Sequence, residues 1–267
     1  MLALPVGVDT VELNPQAARA FDQYVQRTEL RQQKELLPAG AFLWVNGLPE
    51  TRRAESLAQL KRGDVITLRL QTGGAQDGIQ TPGALVHHWV GAVFVPGASL
   101  QQVLDLVEDY NHHQNYFSPE VSKSKTLSRS GDDFIVYLRL TLKKIITVVL
   151  DTEYEVHYEQ LSATRAQSRS YSTRIVEIQN AGESQEKAMP SGNDSGFLWR
   201  LDSYWRFLEA DHGVYVQCEA ISLTRDIPVG LHWLIGPFIE SIPRESLEFT
   251  LRSTRTAVLN QLSQGHK

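Results

Sequence analysis

The sequence predicts an α+β fold in which a curved antiparallel sheet closes on one long C-terminal helix, with an α-rich N-terminal extension. Three observations carry this. The runs Phe134 to Lys143 and Leu150 to Glu159 alternate apolar and polar residues, the mark of half-buried antiparallel strands. The strand-like runs Trp199 to Leu208 and Val214 to Thr224 lead through Arg225-Asp226-Ile227-Pro228 into an amphipathic terminal helix. The run Gly73-Gly74-Ala75-Gln76-Asp77-Gly78 divides this part from a shorter N-terminal segment.

Asn14-Pro15 opens a first helix, a capping Asn followed by Pro where no N–H is needed, and Phe21, Tyr24, Val25 and Thr28 follow at helical spacing until Leu37-Pro38. A short helix is expected over Glu50 to Leu60, with extended segments at Phe42 to Val45 and Val65 to Leu68. Residues 1–72 are therefore expected as a helical and extended addition to a domain spanning 83–262. That domain starts with a strand from Leu85 to Val95. Ser99 then caps a helix with Gln102 at capping-box spacing, and Leu100, Val103, Leu104 and Val107 form its buried stripe. Asn111 to Pro119 adds a short helical turn before the two alternating strands, on which Arg139 and Lys143 can pair across with Asp151 and Glu153. A serine-rich strand, Arg165 to Ile178, precedes an expected surface loop, Ala181 to Ser195. The terminal helix is expected from near Ser241, with Pro243 in its first turn and Leu247, Leu251, Thr254 and Val258 on one face.

Bulk properties exclude several functions. A net charge of -5 and a pI near 5.9 argue against nucleic acid as a partner. Cys218 is the single cysteine, so no internal disulfide and no cysteine-based zinc site can form, and its apolar strand makes it a buried, inert thiol. No window approaches the roughly 18 apolar residues of a membrane span. The opening Met1 to Val6 is short for a signal peptide and lacks a basic start, which gives a cytoplasmic expectation, or a periplasmic or secreted one if a leader was removed.

The stretches Leu85-Val86-His87-His88-Trp89-Val90-Gly91, Ser172-Thr173-Arg174-Ile175-Val176-Glu177, Phe197-Leu198-Trp199-Arg200-Leu201, Ser203-Tyr204-Trp205-Arg206 and Glu219 to Pro228 resemble the START-like superfamily. That superfamily groups lipid transfer domains, the birch-pollen-allergen group and polyketide cyclase and dehydrase relatives. The similarity covers about residues 83 to 262 and is nearest to a bacterial sub-family of unassigned function. It implies the helix-grip fold and a deep cavity between sheet and terminal helix. It implies neither a ligand nor a catalytic set.

Alternation places Trp199, Leu201, Ser203, Trp205 and Phe207 on one face of their strand and Arg200, Asp202, Tyr204 and Arg206 on the other. The first set is the natural lining of a cavity, the second an outer charge network. If the sheet turns the other way, Tyr204 and Arg206, with Arg174, become polar anchors for a ligand. Ser168, Ser170 and Ser172, and likewise Cys218, Ala220, Ser222 and Thr224, present small residues that leave volume, and Leu251 faces them from the helix. Adjacent strand residues point to opposite faces, so His87 and His88 cannot share a metal, only one of them faces the cavity, and no metal is expected. No phosphate loop or dinucleotide fingerprint appears, and no cofactor is expected.

Three functions stay open. The first is binding or transfer of a hydrophobic small molecule, such as a lipid, sterol-like, isoprenoid or polyketide-type compound. The second is a cyclase, dehydratase or hydrolase working in the same cavity, with His88, Glu219 and Tyr204 as candidate acid, base and donor. The third is docking on a membrane or partner through Val229 to Phe238, where Leu231, Trp233 and Phe238 would form a portal hinged at Gly230 and Gly236.

Overall fold

The computed structural model describes residues 11–37, 41–70, 81–143, 147–190, 193–226 and 232–265, with the side chains of 193, 232–240 and 265 outside the description. In chain order the elements are β1 (Val11–Glu12), α1 (Pro15–Glu35), a 3₁₀ turn (Trp44–Gly47), α2 (Glu50–Arg62), β2 (Ile66–Arg69) and β3 (Ala84–Pro96). Next come α3 (Leu100–Val107), α4 (His113–Tyr116), β4 (Val121–Ser130), β5 (Asp133–Lys143), β6 (Thr147–Ser162) and β7 (Arg165–Gln179). β8 (Lys187–Ala188), β9 (Asn193–Asp194), β10 (Arg200–Ala210), β11 (Gly213–Arg225) and α5 (His232–Gly265) complete the chain. The main sheet runs β2-β3-β11-β10-β7-β6-β5-β4 with β8 added beside β7, and every pairing is antiparallel. This is the predicted helix-grip α+β architecture.

Local chemistry explains the elements. The Asn14 side chain accepts the Gln16 N–H at 2.8 Å with Pro15 opening α1, and Ser99 and Gln102 form the reciprocal capping box that starts α3. Arg139 lies opposite Asp151 and grips it with two bonds, Nε to Oδ1 at 2.6 Å and Nη2 to Oδ2 at 2.8 Å, and adds Glu186 at 2.9 Å. Glu153 pairs instead with Arg174 on the other side of β6.

Two expectations change. The terminal helix does not begin near Ser241. Helical backbone runs from His232 for 34 residues, about 50 Å at ~1.5 Å per residue, with Pro237 and Pro243 inside it. Their rings remove two backbone donors without ending the helix, which is why they misread as a boundary. Much of the expected apolar connection is thus the start of α5, while 227–231 lie outside the described residues. The expected loop Ala181 to Ser195 contains two short strands, and its end turns inward: Asp194 is buried and accepts the Gly196 N–H at 2.8 Å and the Trp199 indole N–H at 3.1 Å.

The segment before residue 72 meets the sheet at its edge and across a face, where Phe42, Leu43, Val45 and Leu60 pack on Ala92, Phe94 and Tyr215. β2 is its edge strand, and α1 lies across one face with Ala17, Phe21, Tyr24 and Val25 packed on Trp199, Tyr204, Ile221 and Leu223. The predicted break at Gly73 to Gly78 falls outside the described residues. The opposite face carries α3 and α5, where Leu247, Leu251 and Val258 join Val93, Val95, Phe207, Val214 and Val216 in the largest core cluster. α5 approaches β3 closely at Gly91. A Cβ there would stand 2.8 Å from Leu251 Cδ1, 3.0 Å from Thr67 Cγ2 and 3.2 Å from the Ile66 carbonyl oxygen, so any larger residue forces these neighbours to shift.

Candidate ligand-binding site

Cross-strand register fixes which side chains share the concave, α5-facing side. Trp89, Ala220, Ser203 and Ser170 form one row; Gly91, Cys218, Trp205 and Ser168 form the next; Val93, Val216, Phe207 and Ala166 form the third. The third row is solid core, sealed by α3. Toward the first row accessibility returns: Trp89, Ala220, Ser203, Ser170, Trp205 and Leu201 all keep partial exposure, although paired strands flank them. On the same strands the opposite side chains Asp202, Tyr204, Arg206 and Glu219 are buried. On β3, β10 and β11 the convex side is therefore tight, whereas the concave side opposite it stays partly accessible, a candidate hollow.

Small side chains open this hollow, and aromatic rings border it. The Trp205 and Phe207 rings stack nearly parallel, 7° apart with centroids separated by 6.1 Å. Phe207 itself is fully buried, so it is floor rather than lining. Ser222 and Leu251 lie on the concave side as expected, both buried, and the Cys218 thiol is pushed up by burial. Three buried polar atoms in this half of the molecule have no partner among the described residues: His87 Nδ1, Trp89 Nε1 and Tyr154 Oη. Burial and then Arg69 lower His87 to about 4, and burial raises Tyr154 to about 12, so both are neutral near pH 7.

His88 points the other way. Its Nδ1 bonds the Tyr24 hydroxyl at 2.6 Å and its Nε2 meets Glu219 Oε1 at 2.7 Å, with Arg31 of α1 also on that carboxylate. Burial works to raise Glu219, but His88 and Arg31 outweigh it and hold the carboxyl below its usual range. Arg206 donates to Glu35 at 2.7 Å, to the Phe42 carbonyl at 2.9 Å and to the Gln32 carbonyl at 3.3 Å. Tyr204 and Tyr171 both donate to Glu29, and burial followed by that carboxylate raises both phenols. This polar seam fastens α1 to the sheet.

The candidate residues are thereby redistributed. Trp205, Phe207, Ser222 and Leu251 are on the concave side. Tyr204, Arg206, Glu219 and His88 belong to the α1 seam, because alternation directs them to the convex face. Trp199 is also corrected: it precedes β10, and its ring packs under α1 with its N–H on Asp194. Arg174 faces solvent and pairs with Glu153 at 3.1 Å. The portal residues Leu231, Trp233 and Phe238 lie outside the described side chains. The seam's helix half, Tyr24, Glu29, Arg31 and Glu35, was missed; its signal was an opposite-charge set on α1 matching the polar positions of β10 and β11.

No grouping of metal-binding side chains occurs among the described residues, and no described helix is long and apolar enough to cross a membrane. No family model matches the chain, and no curated protein is significantly similar to it. Among solved structures it is similar to a protein from Thermus thermophilus (TM-score 0.47, 16% identity, 64% of this chain and 97% of the other). It is similar also to a STAR-related lipid transfer protein from Xanthomonas axonopodis (0.46, 17%, 72% and 98%). A third is the Zhui aromatase/cyclase from a Streptomyces species (0.46, 11%, 67% and 96%). By its own order of elements, its antiparallel sheet topology and its long closing helix, the chain is START-like in fold.

Proposed function

We propose that the chain binds or transfers a hydrophobic small molecule, lipid, sterol-like, isoprenoid or polyketide-type, in the hollow between the sheet and α5. The observation that carries this is the partial accessibility of Trp89, Leu201, Trp205 and their small neighbours at the centre of the sheet, on strands β3, β10 and β11 that are buried on their other face. Water-exposed aromatic and aliphatic surface inside a concavity gains about 25 cal/mol per Å² when an apolar ligand covers it. The enzyme reading loses its named acid and base, since His88 and Glu219 are engaged with α1.

Native mass spectrometry of gently purified protein tests the proposal. A stoichiometric apolar adduct is expected, with weaker retention in Trp205→Ala at unchanged fold. A clean ligand-free mass together with no uptake from a panel of those four ligand classes would refute it.

A further inference from the structure

Two of the partnerless polar atoms belong to residues on the same face of one strand. His87 and Trp89 are two residues apart on β3 and share the concave face, roughly 7 Å between Cα atoms at ~3.4 Å per residue. His87 is only 2% exposed and Trp89 Nε1 is buried, so neither nitrogen is routinely solvated.

The two nitrogens complement each other in one tautomer of His87. The Thr224 hydroxyl, whose proton has the Arg225 carbonyl within 3.4 Å, is 3.0 Å from His87 Nε2 and accepts from it in the Nε2–H tautomer. With the ring proton on Nε2, Nδ1 is a bare acceptor. The low proton affinity of this buried ring keeps it so at neutral pH. Trp89 Nε1 can only donate. One donor and one acceptor on the same strand face match a group that both accepts and donates.

We infer that His87 and Trp89 form a head-group subsite for a hydroxyl on an otherwise apolar ligand, the hydroxyl oxygen accepting from Trp89 Nε1–H and its proton going to His87 Nδ1. The inference rests on the binding reading above and specifies its ligand as an alcohol or phenol. A carbonyl or ether satisfies Trp89 alone, and a hydrocarbon leaves both atoms unpaired.

The probes are 2-naphthol, 2-methoxynaphthalene and 2-methylnaphthalene, which present donor and acceptor, acceptor only, and neither on the same ring system. Titration calorimetry with the full chain is expected to give 2-naphthol about tenfold tighter than 2-methylnaphthalene, with the ether between them. Trp89→Phe and His87→Leu should each shrink that ratio, and the double variant should bring it to about one.

Thermal melts supply the second readout. Trp89→Phe loses packing but no hydrogen bond among the described residues, so it should lower the Tm of the free protein less than Trp199→Phe, which loses packing and a bonded indole N–H as well. Equal affinity for all three probes would overturn the subsite but leave the hollow standing. No binding of any probe would overturn the subsite, while the adduct and uptake measurements above decide the hollow separately. A preference for 2-naphthol that survives the double variant would assign it to other residues.

Discussion

Replacing Arg206 by methionine separates a ligand anchor from a fastening of α1. The guanidinium is 3% exposed and serves three acceptors: Glu35, the Phe42 carbonyl and the Gln32 carbonyl. Methionine keeps most of the stem volume and removes the donors. Glu35 retains Arg31, and the Gln32 carbonyl retains the Leu36 N–H, so neither is stranded. The Phe42 carbonyl loses a charged donor, at about 1–3 kcal/mol for a buried acceptor. Adding a reduced share for the half-screened Glu35 pair brings the expected loss to about 3 kcal/mol, well short of an ion pair broken in full burial. For a chain of this size that corresponds to a fall in Tm of roughly 10 °C. Urea unfolding measures the stability, and Nile red titration at a temperature where both proteins are folded measures the hollow. The stability should fall with the affinity per folded molecule unchanged. A variant as stable as wild type that no longer binds would place Arg206 in the hollow and refute the face assignment.

Two further substitutions probe the layers on either side of the sheet. Burial raises Asp202 to about 7 from 3.8, opposed by the Ser172 N–H and Arg200. The folded state thus holds a proton the unfolded chain has released, so stability falls as pH rises from about 4 to about 7, and the loss is complete above that. Asp202→Asn should match wild type near pH 4 and exceed it at pH 8 in urea midpoints, and a wild-type advantage at pH 8 would contradict this. Gly91→Ala places a methyl 2.8 Å from Leu251 and should cost about 1–3 kcal/mol, seen as a lower melting temperature that Leu251→Ala fails to lower further by its full single-mutant amount. Full additivity would mean that α5 does not rest on β3 at this point.

Much of the fold was legible because alternation is a covalent property of a strand. Once β10 was recognised, Asp202, Tyr204 and Arg206 had to share a face opposite Ser203, Trp205 and Phe207. What alternation does not contain is the identity of the covering layer. Arg206 and Tyr204 could face either a ligand or a helix until Glu29 and Glu35 of α1 were found opposite them. Trp199 was misplaced because regular pairing starts one residue later, at Arg200, where parity begins to apply. The start of α5 was missed because proline is read as a stop, although a helix lacking two donors persists when its other bonds and contacts hold it. His87 was visible as one of two candidates, and only the Tyr24–His88 bond decided between them.

β11 has a consequence for how such a chain can vary. Glu219, Ile221 and Leu223 are committed to α1, while Cys218, Ala220, Ser222 and Thr224 border the hollow or its rim. Even and odd positions of one strand therefore answer to different selective pressures. Exchanges of volume at the even positions can change what is carried without loosening the seam, and repairs at the odd positions can restore stability without altering the cargo. Specificity and robustness, interleaved residue by residue along the same backbone, are free to drift apart.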